Sequence, residues 1–182
     1  MRQPGLFLDR DGVVNVDIGH AHRIEQIEFV PGIFDLVKRA NNLGYFVAII
    51  TNQAGIGKGF YSEEQFQTLT RWLLSTMQSN GAIINHVEFC PHHPLATVEK
   101  YRQVCECRKP KPGMIRKIAQ MFELDLGQSV LVGDRQTDIE AGLSGGIKKL
   151  WYFDSKSGKP LEVADGYTSA AMFISSLDMV VL

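Results

Sequence analysis

Short apolar runs that end on a polar residue, separated by segments of helical spacing, constrain this chain more than any other feature. Leu6-Phe7-Leu8 stops at Asp9, Phe46-Val47-Ala48-Ile49-Ile50 stops at Thr51, and Ser129-Val130-Leu131-Val132 stops at Gly133-Asp134. Runs this short and this apolar suit strands buried on both faces, as in parallel sheets. Ile83-Ile84 with Val87-Glu88-Phe89, and Leu150-Trp151-Tyr152-Phe153, complete a set of five. Between them, Ile33, Leu36, Val37, Ala40 and Leu43 recur at helical spacing, opened by Pro31-Gly32 and closed by Gly44. Ser62 with Gln65 is a capping box for a helix presenting Phe66, Leu69, Leu73 and Met77. Pro112 opens a helix through Phe122, and Ala141 and Leu143 belong to a short helix ended by Gly145-Gly146. Strands alternating with helices predict an α/β fold, a doubly wound parallel sheet of Rossmann-like type. Ligands of such sheets bind beyond the C-terminal strand ends, which is where Asp9, Thr51 and Asp134 fall.

The 182 residues suit one domain over 1–182, with an irregular loop at about 90–107. Hydrophobic residues make up 45% and charged residues 21%. A net charge of −1 offers no bulk attraction for nucleic acid or an acidic membrane. No apolar run approaches the ~20 residues of a membrane helix, and the first apolar run is too short for a signal segment. A cytoplasmic monomer acting on a small molecule, with neither nucleic acid nor membrane as partner, is expected.

Four segments carry chemistry. Asp9-Arg10-Asp11-Gly12 places two carboxylates just past a strand. A hard cation such as Mg²⁺ takes oxygen ligands of this kind. The first carboxylate can attack phosphorus, and the second can protonate a leaving oxygen and then deprotonate water. Thr51-Asn52-Gln53 offers a hydroxyl and two amides to phosphoryl oxygens. In Arg108-Lys109-Pro110, Lys109 can neutralise a phosphate and keep Asp9 ionised, and Arg108 can grip a second anionic group. In Gly133-Asp134-Arg135-Gln136-Thr137-Asp138, Asp134 can complete the cation site, and Asp138 can cap a helix or brace Lys109. Taken singly, each segment also suits a plain structural role: an Asp-Gly turn, a strand cap, a solvated basic loop or a helix N-cap.

The only cysteines, Cys90, Cys105 and Cys107, join His92 in two close pairs, Cys-x-His and Cys-x-Cys. Four such donors suit a closed, structural Zn²⁺ site that would staple the loop delivering Arg108 and Lys109. His93 is the alternative donor to His92.

In order, D-x-D-G, hydrophobic-T-N, K-P and G-D-x-x-x-D resemble the four motifs of the haloacid dehalogenase superfamily over roughly residues 5 to 150. The resemblance implies that family's fold and a phospho-aspartate mechanism. Members often carry an inserted cap domain, but the intervals after Asn15 and after Phe89 are too short for one. Cys90-Pro91-His92-His93-Pro94 and Arg102-Gln103-Val104-Cys105-Glu106-Cys107-Arg108-Lys109-Pro110 resemble the heptose-bisphosphate 7-phosphatase branch, as do Gly55-Ile56-Gly57-Lys58-Gly59 and the Ser62–Trp72 helix. That branch implies removal of a C7 phosphate on the bacterial route to activated heptose for lipopolysaccharide core. It implies Asp9 as nucleophile, Asp11 as acid/base, and Thr51 and Lys109 as phosphoryl stabilisers. The implied Mg²⁺ set is Asp9, Asp11 and Asp134, and the Zn²⁺ set Cys90, His92, Cys105 and Cys107. The implied pocket comprises Asp17, Ile18, Gly19, His20, Asn52, Gln53, Ala54, Arg108 and Arg135. His20 stands where that branch has an aromatic Tyr, and residues 150–158 depart from its usual pattern. Histidinol-phosphate phosphatases share the catalytic motifs and a similar loop, although the long stretch between the ligand pairs favours the heptose branch. A non-catalytic zinc module is the alternative of another class.

Overall fold

A computed structural model describes residues 2–153. Its sheet holds five parallel strands: β1 (Pro4–Leu8), β2 (Phe46–Asn52), β3 (His86–Cys90), β4 (Asp125–Gly133) and β5 (Lys149–Tyr152), in the order β3-β2-β1-β4-β5. The helices are α1 (Ile33–Asn42), α2 (Ala54–Gly57), α3 (Glu63–Ser79), α4 (Gly113–Met121) and α5 (Gln136–Gly145). Alternate strand residues face opposite sides, so the sheet supports two cores. Leu6, Leu8, Val47, Ile49, Val130 and Val132 pack with Ile33 and Val37 of α1 and Leu73 and Met77 of α3. Phe7, Ala48, Ile50 and Leu131 pack with Met114, Ile115 and Ile118 of α4 and Ile139 of α5. A third cluster, Ile56, Tyr61, Phe66, Ala96 and Tyr101, lies under the loops beside α2 and α3.

The chain winds one way from β1 to β2 and β3 and the other way to β4 and β5. The C-terminal end of β1 is therefore a switch point, the usual place for a ligand crevice. Asp9 emerges there, its N–H bonded to Val132 O at 3.0 Å.

Most expected elements form. The capping box closes α3, with Gln65 N donating to Ser62 Oγ and Ser62 N to Gln65 Oε1. The third strand is shorter than expected. Ile83 exchanges backbone hydrogen bonds with the Asn41 side chain of α1 instead of a strand, and pairing with β2 begins at His86. The short helix α2, just past Gln53, has no counterpart in the sequence expectations. Of the divergent stretch 150–158, residues 154–158 lie outside the described residues. No helix among the described residues is long and apolar enough to cross a membrane.

Candidate active site

The four motif segments meet in one open cleft of about 580 Å³, lined by Asp9, Asp11, Thr51, Arg108, Lys109, Arg135 and Asp138 among others. At its floor Lys109, 4% exposed, donates to Asp9 Oδ1 at 2.8 Å and to Ile50 O at 2.9 Å, and pairs with Asp138 Oδ1 at 2.7 Å. Two of the three ammonium protons thus have hydrogen-bond acceptors, and Asp138 adds an ion pair. Burial alone would lower the Lys109 pKa, but Asp9 and Asp138 override it and the group is held charged.

Asp9 Oδ1 also accepts from the Arg10 N–H at 2.8 Å. Burial pushes the Asp9 carboxyl up to about 7, with Lys109 pulling against it and Asp138 adding to it. Lys109 thus favours the ionised Asp9, as expected, against the desolvation of this buried position. Asp134 is likewise raised to about 6, first by burial and then by Asp138. Asp134 Oδ1 is buried without a hydrogen-bond partner, and Arg135 Nε stands 3.9 Å from it. Gly12 makes room for this carboxylate, because a Cβ there would fall 2.0 Å from Asp134 Oδ2 and φ is +94°. Asp9, Asp134 and Asp138 bring carboxylate oxygens within 4.8 Å of one another. Three carboxylates against one lysine, with Asp134 Oδ1 and Asp138 Oδ1 both buried without a hydrogen-bond partner, form a set whose unbalanced charge fits a divalent cation.

Asp11 stands apart from that group. Its carboxylate accepts from Arg10 Nε and NH2, Asn15 Nδ2 and Gln53 Nε2, at 2.9–3.2 Å. Asp11, expected among the Mg²⁺ ligands, has its side chain held by Arg10, and the third carboxylate close to Asp9 and Asp134 is Asp138. Asp138 also braces Lys109 and receives the Arg135 N–H at 3.0 Å, both of the roles open to it in the sequence. Gly133 leaves it space, since a Cβ there would lie 2.2 Å from Asp138 Cβ.

Two of the expected substrate contacts have other partners. Asn52 donates from Nδ2 to Lys109 O and accepts at Oδ1 from Lys109 N, both at 3.0 Å, and so clamps the lysine backbone. Gln53, 2% exposed, donates to Thr51 Oγ1 at 2.7 Å and to Asp11 Oδ2 at 3.2 Å, and does not line the cleft. Ile18 is exposed and also outside the lining. Asp17, Gly19, His20 and Ala54 do line it. Arg135 donates to Asp17 Oδ2 at 2.6 Å, joining the loop after β1 to the start of α5. Lys58, His93, Gln136 and Thr137 line the cleft without having been expected to. Lys58 ends the Gly55–Lys58 run, whose glycines and position just after Gln53 were the available signal.

Cys90, His92, Cys105 and Cys107 converge on a second point. Their donor atoms lie 3.0–3.7 Å apart along five edges. Zn–S bonds of ~2.3 Å in a tetrahedron give edges of about 3.8 Å, so this set fits a closed zinc site. His93 is not among them; its N–H bonds Tyr101 O, its Nδ1 accepts from Leu95 N at 3.1 Å, and it lines the cleft. Arg108 donates to His92 O at 3.2 Å, and Gly113 N to Glu106 O at 2.9 Å, which ties the loop to Lys109 on one side and to α4 on the other.

A family model described as HAD-hydrolase-like matches residues 106–177. A Salmonella typhi D-glycero-beta-D-manno-heptose-1,7-bisphosphate 7-phosphatase is 38% identical over 96% of this chain and 91% of its own. A Burkholderia mallei D-glycero-alpha-D-manno-heptose-1,7-bisphosphate 7-phosphatase is 47% identical over 81% of this chain and 78% of its own. Among solved structures, a D,D-heptose 1,7-bisphosphate phosphatase from B. bronchiseptica, complexed with magnesium and phosphate, superposes with a TM-score of 0.80. It is 26% identical, over 96% of this chain and 98% of its own.

Proposed function

The chain belongs to the D-glycero-D-manno-heptose-1,7-bisphosphate 7-phosphatase family, within the HAD-like hydrolases, and from that premise we propose that it removes the C7 phosphate of the heptose bisphosphate through a phospho-aspartate on Asp9. The observation that carries the proposal is Asp9 at the switch point with Lys109 fixed against it, inside a cleft that also holds Arg108. The step belongs on a cytoplasmic route to activated heptose.

Lys109 and the Arg10 N–H both hold Asp9 Oδ1, which leaves Oδ2 to attack phosphorus. The P–O bond to C7 breaks as the new Asp9–phosphorus bond forms, and Asp11 gives its proton to the departing oxygen. Asp11, now ionised, takes a proton from water. That water attacks phosphorus, inorganic phosphate leaves, and Asp9 is restored. Thr51 Oγ1 accepts from Gln53, so its own proton is directed to a phosphoryl oxygen. Lys109 acts chiefly through its charge, since Asp9 and Ile50 O take two of its protons and Asp138 pairs with it. Arg108 and Lys58, both of which line the cleft, receive the distal C1 phosphate, and Asp17, Gly19, His20 and Arg135 border the sugar.

Asp9, Asp11 and Asp134 would hold Mg²⁺, which when bound supplies charge for the phosphoryl oxygens. The relative solved with magnesium and phosphate supports this assignment. Cys90, His92, Cys105 and Cys107 would hold Zn²⁺ as a structural staple.

The test is kcat/KM for both anomers of the heptose bisphosphate beside histidinol phosphate, with Mg²⁺ present. A preference of at least about 100-fold for one heptose anomer over histidinol phosphate is expected. A reversed preference would move the chain to the histidinol-phosphate reading.

A further inference from the structure

We infer that Tyr61, which does not line the cleft, is a positioning residue for the acid/base Asp11 and acts through Gln53; the inference rests on the phosphatase reading above. The Tyr61 hydroxyl donates to Gln53 Oε1 at 2.5 Å, and the other end of the same amide donates to Asp11 Oδ2 and Thr51 Oγ1. An amide has one accepting end and one donating end. An ionised Asp11 only accepts, so the donating end of Gln53 has to face it, and the accepting end is left in a buried position. Among the described residues, Tyr61 supplies the one donor that reaches that end. Without it, Gln53 Oε1 is a buried acceptor with no partner, and the amide loses the bond that fixes its donating end on Asp11.

The tyrosine is itself closely held. It is 5% exposed, its ring stacks on His22 at 5.0 Å with a 4° interplanar angle, and it packs with Ile56 and Phe66. Gly55 is what lets it in: a Cβ at that position would lie 2.3 Å from Tyr61 Cε1. Burial keeps the phenol protonated, pushing it up to about 12, so it remains a donor across the working pH range.

The effect falls on the chemical step. As Asp11 passes its proton to the leaving oxygen, a carboxylate develops on it. The Gln53 N–H stabilises that developing charge more than it stabilises the neutral acid, which is differential stabilisation of the transition state. A leaving group that needs no proton should feel this support much less. Losses shared by all substrates come through the second Gln53 bond, to Thr51.

The experiment compares kcat/KM for the heptose bisphosphate, an alkyl phosphate, with that for p-nitrophenyl phosphate, whose leaving group needs little protonation. For Tyr61→Phe, kcat/KM is expected to fall about tenfold with the alkyl ester and no more than about threefold with the aryl ester. In a Gln53→Leu background, adding Tyr61→Phe should change the alkyl value by less than about twofold. Should Tyr61→Phe fail to fold, Gln53→Leu alone carries the comparison, with the same selective loss expected. Equal losses on the two esters, or additive losses in the double variant, would overturn the positioning role while leaving the phosphatase reading in place. A wild type inactive on both esters would overturn both.

Discussion

Lys109 shows how much of this site is settled one residue at a time. It donates to Asp9 and Ile50 O and pairs with Asp138, so its contribution to a bound phosphate is charge held in place. The pattern D-x-D-G marked Asp9 and Asp11, and K-P marked Lys109, because their chemistry is implicit in residue type and spacing. Asn52 and Gln53 were legible only as polar groups near a phosphate. Their partners, the Lys109 backbone and the Asp11–Thr51 pair, come from other parts of the chain, and no local pattern encodes those meetings. At this scale Asp9→Asn is expected to lower kcat by at least about 10⁴-fold. Circular dichroism and zinc content should stay as in the wild type. Retained turnover in that variant would remove the phospho-aspartate.

At the scale of elements, the segment from β3 to α4 has little regular structure of its own and hangs on the Cys/His cluster. Cys90 is the last residue of β3, while Cys105 and Cys107 come directly before Arg108 and Lys109. Gly113, at the start of α4, accommodates this packing, since a Cβ there would fall 2.2 Å from Glu106 O. About one zinc per chain is expected by elemental analysis. Cys107→Ser is expected to lose that metal, to lower Tm by at least about 5 °C, and to lower kcat as the Lys109 segment loosens. A metal-free wild type with full stability and activity would refute the staple. The ligand pairs were legible because both spacings are short. The fifth strand and α3 were legible too, from apolar period and capping residues. The short helix α2 was not, because Gly55 and Gly57 are poor helix formers and close packing against Tyr61 and Pro91 O holds them.

Across the whole molecule, the buried carboxylates make stability depend on pH and on the cation. A carboxyl whose native pKa is raised binds its proton more tightly folded than unfolded. Stability then falls as pH rises from the unfolded value toward the native one. For Asp9 that window runs from 3.8 to about 7, and for Asp134 from 3.8 to about 6. Metal-free protein is therefore expected to lose stability between about pH 4 and pH 7 through these two groups. Added Mg²⁺ should raise Tm more at pH 8 than at pH 5, as read by thermal melts. An equal or reversed increment would show that Asp9 and Asp134 do not share the cation.

The sequence by itself determined the sheet, its flanking helices and the four polar segments at strand ends, because apolar period and strand-end position are local properties of the chain. It also determined the cysteine pairs. Only the tertiary structure decided which carboxylates stand together and which stand apart. Asp11 is two residues from Asp9, yet its side chain turns to Arg10, whereas Asp138 arrives from another strand end to share Lys109. The reason is that a buried charge goes where it finds a partner. Partners for Asp9, Asp11 and Lys109 are set by the β3-β2-β1-β4-β5 order of the sheet, which brings four distant segments to one edge.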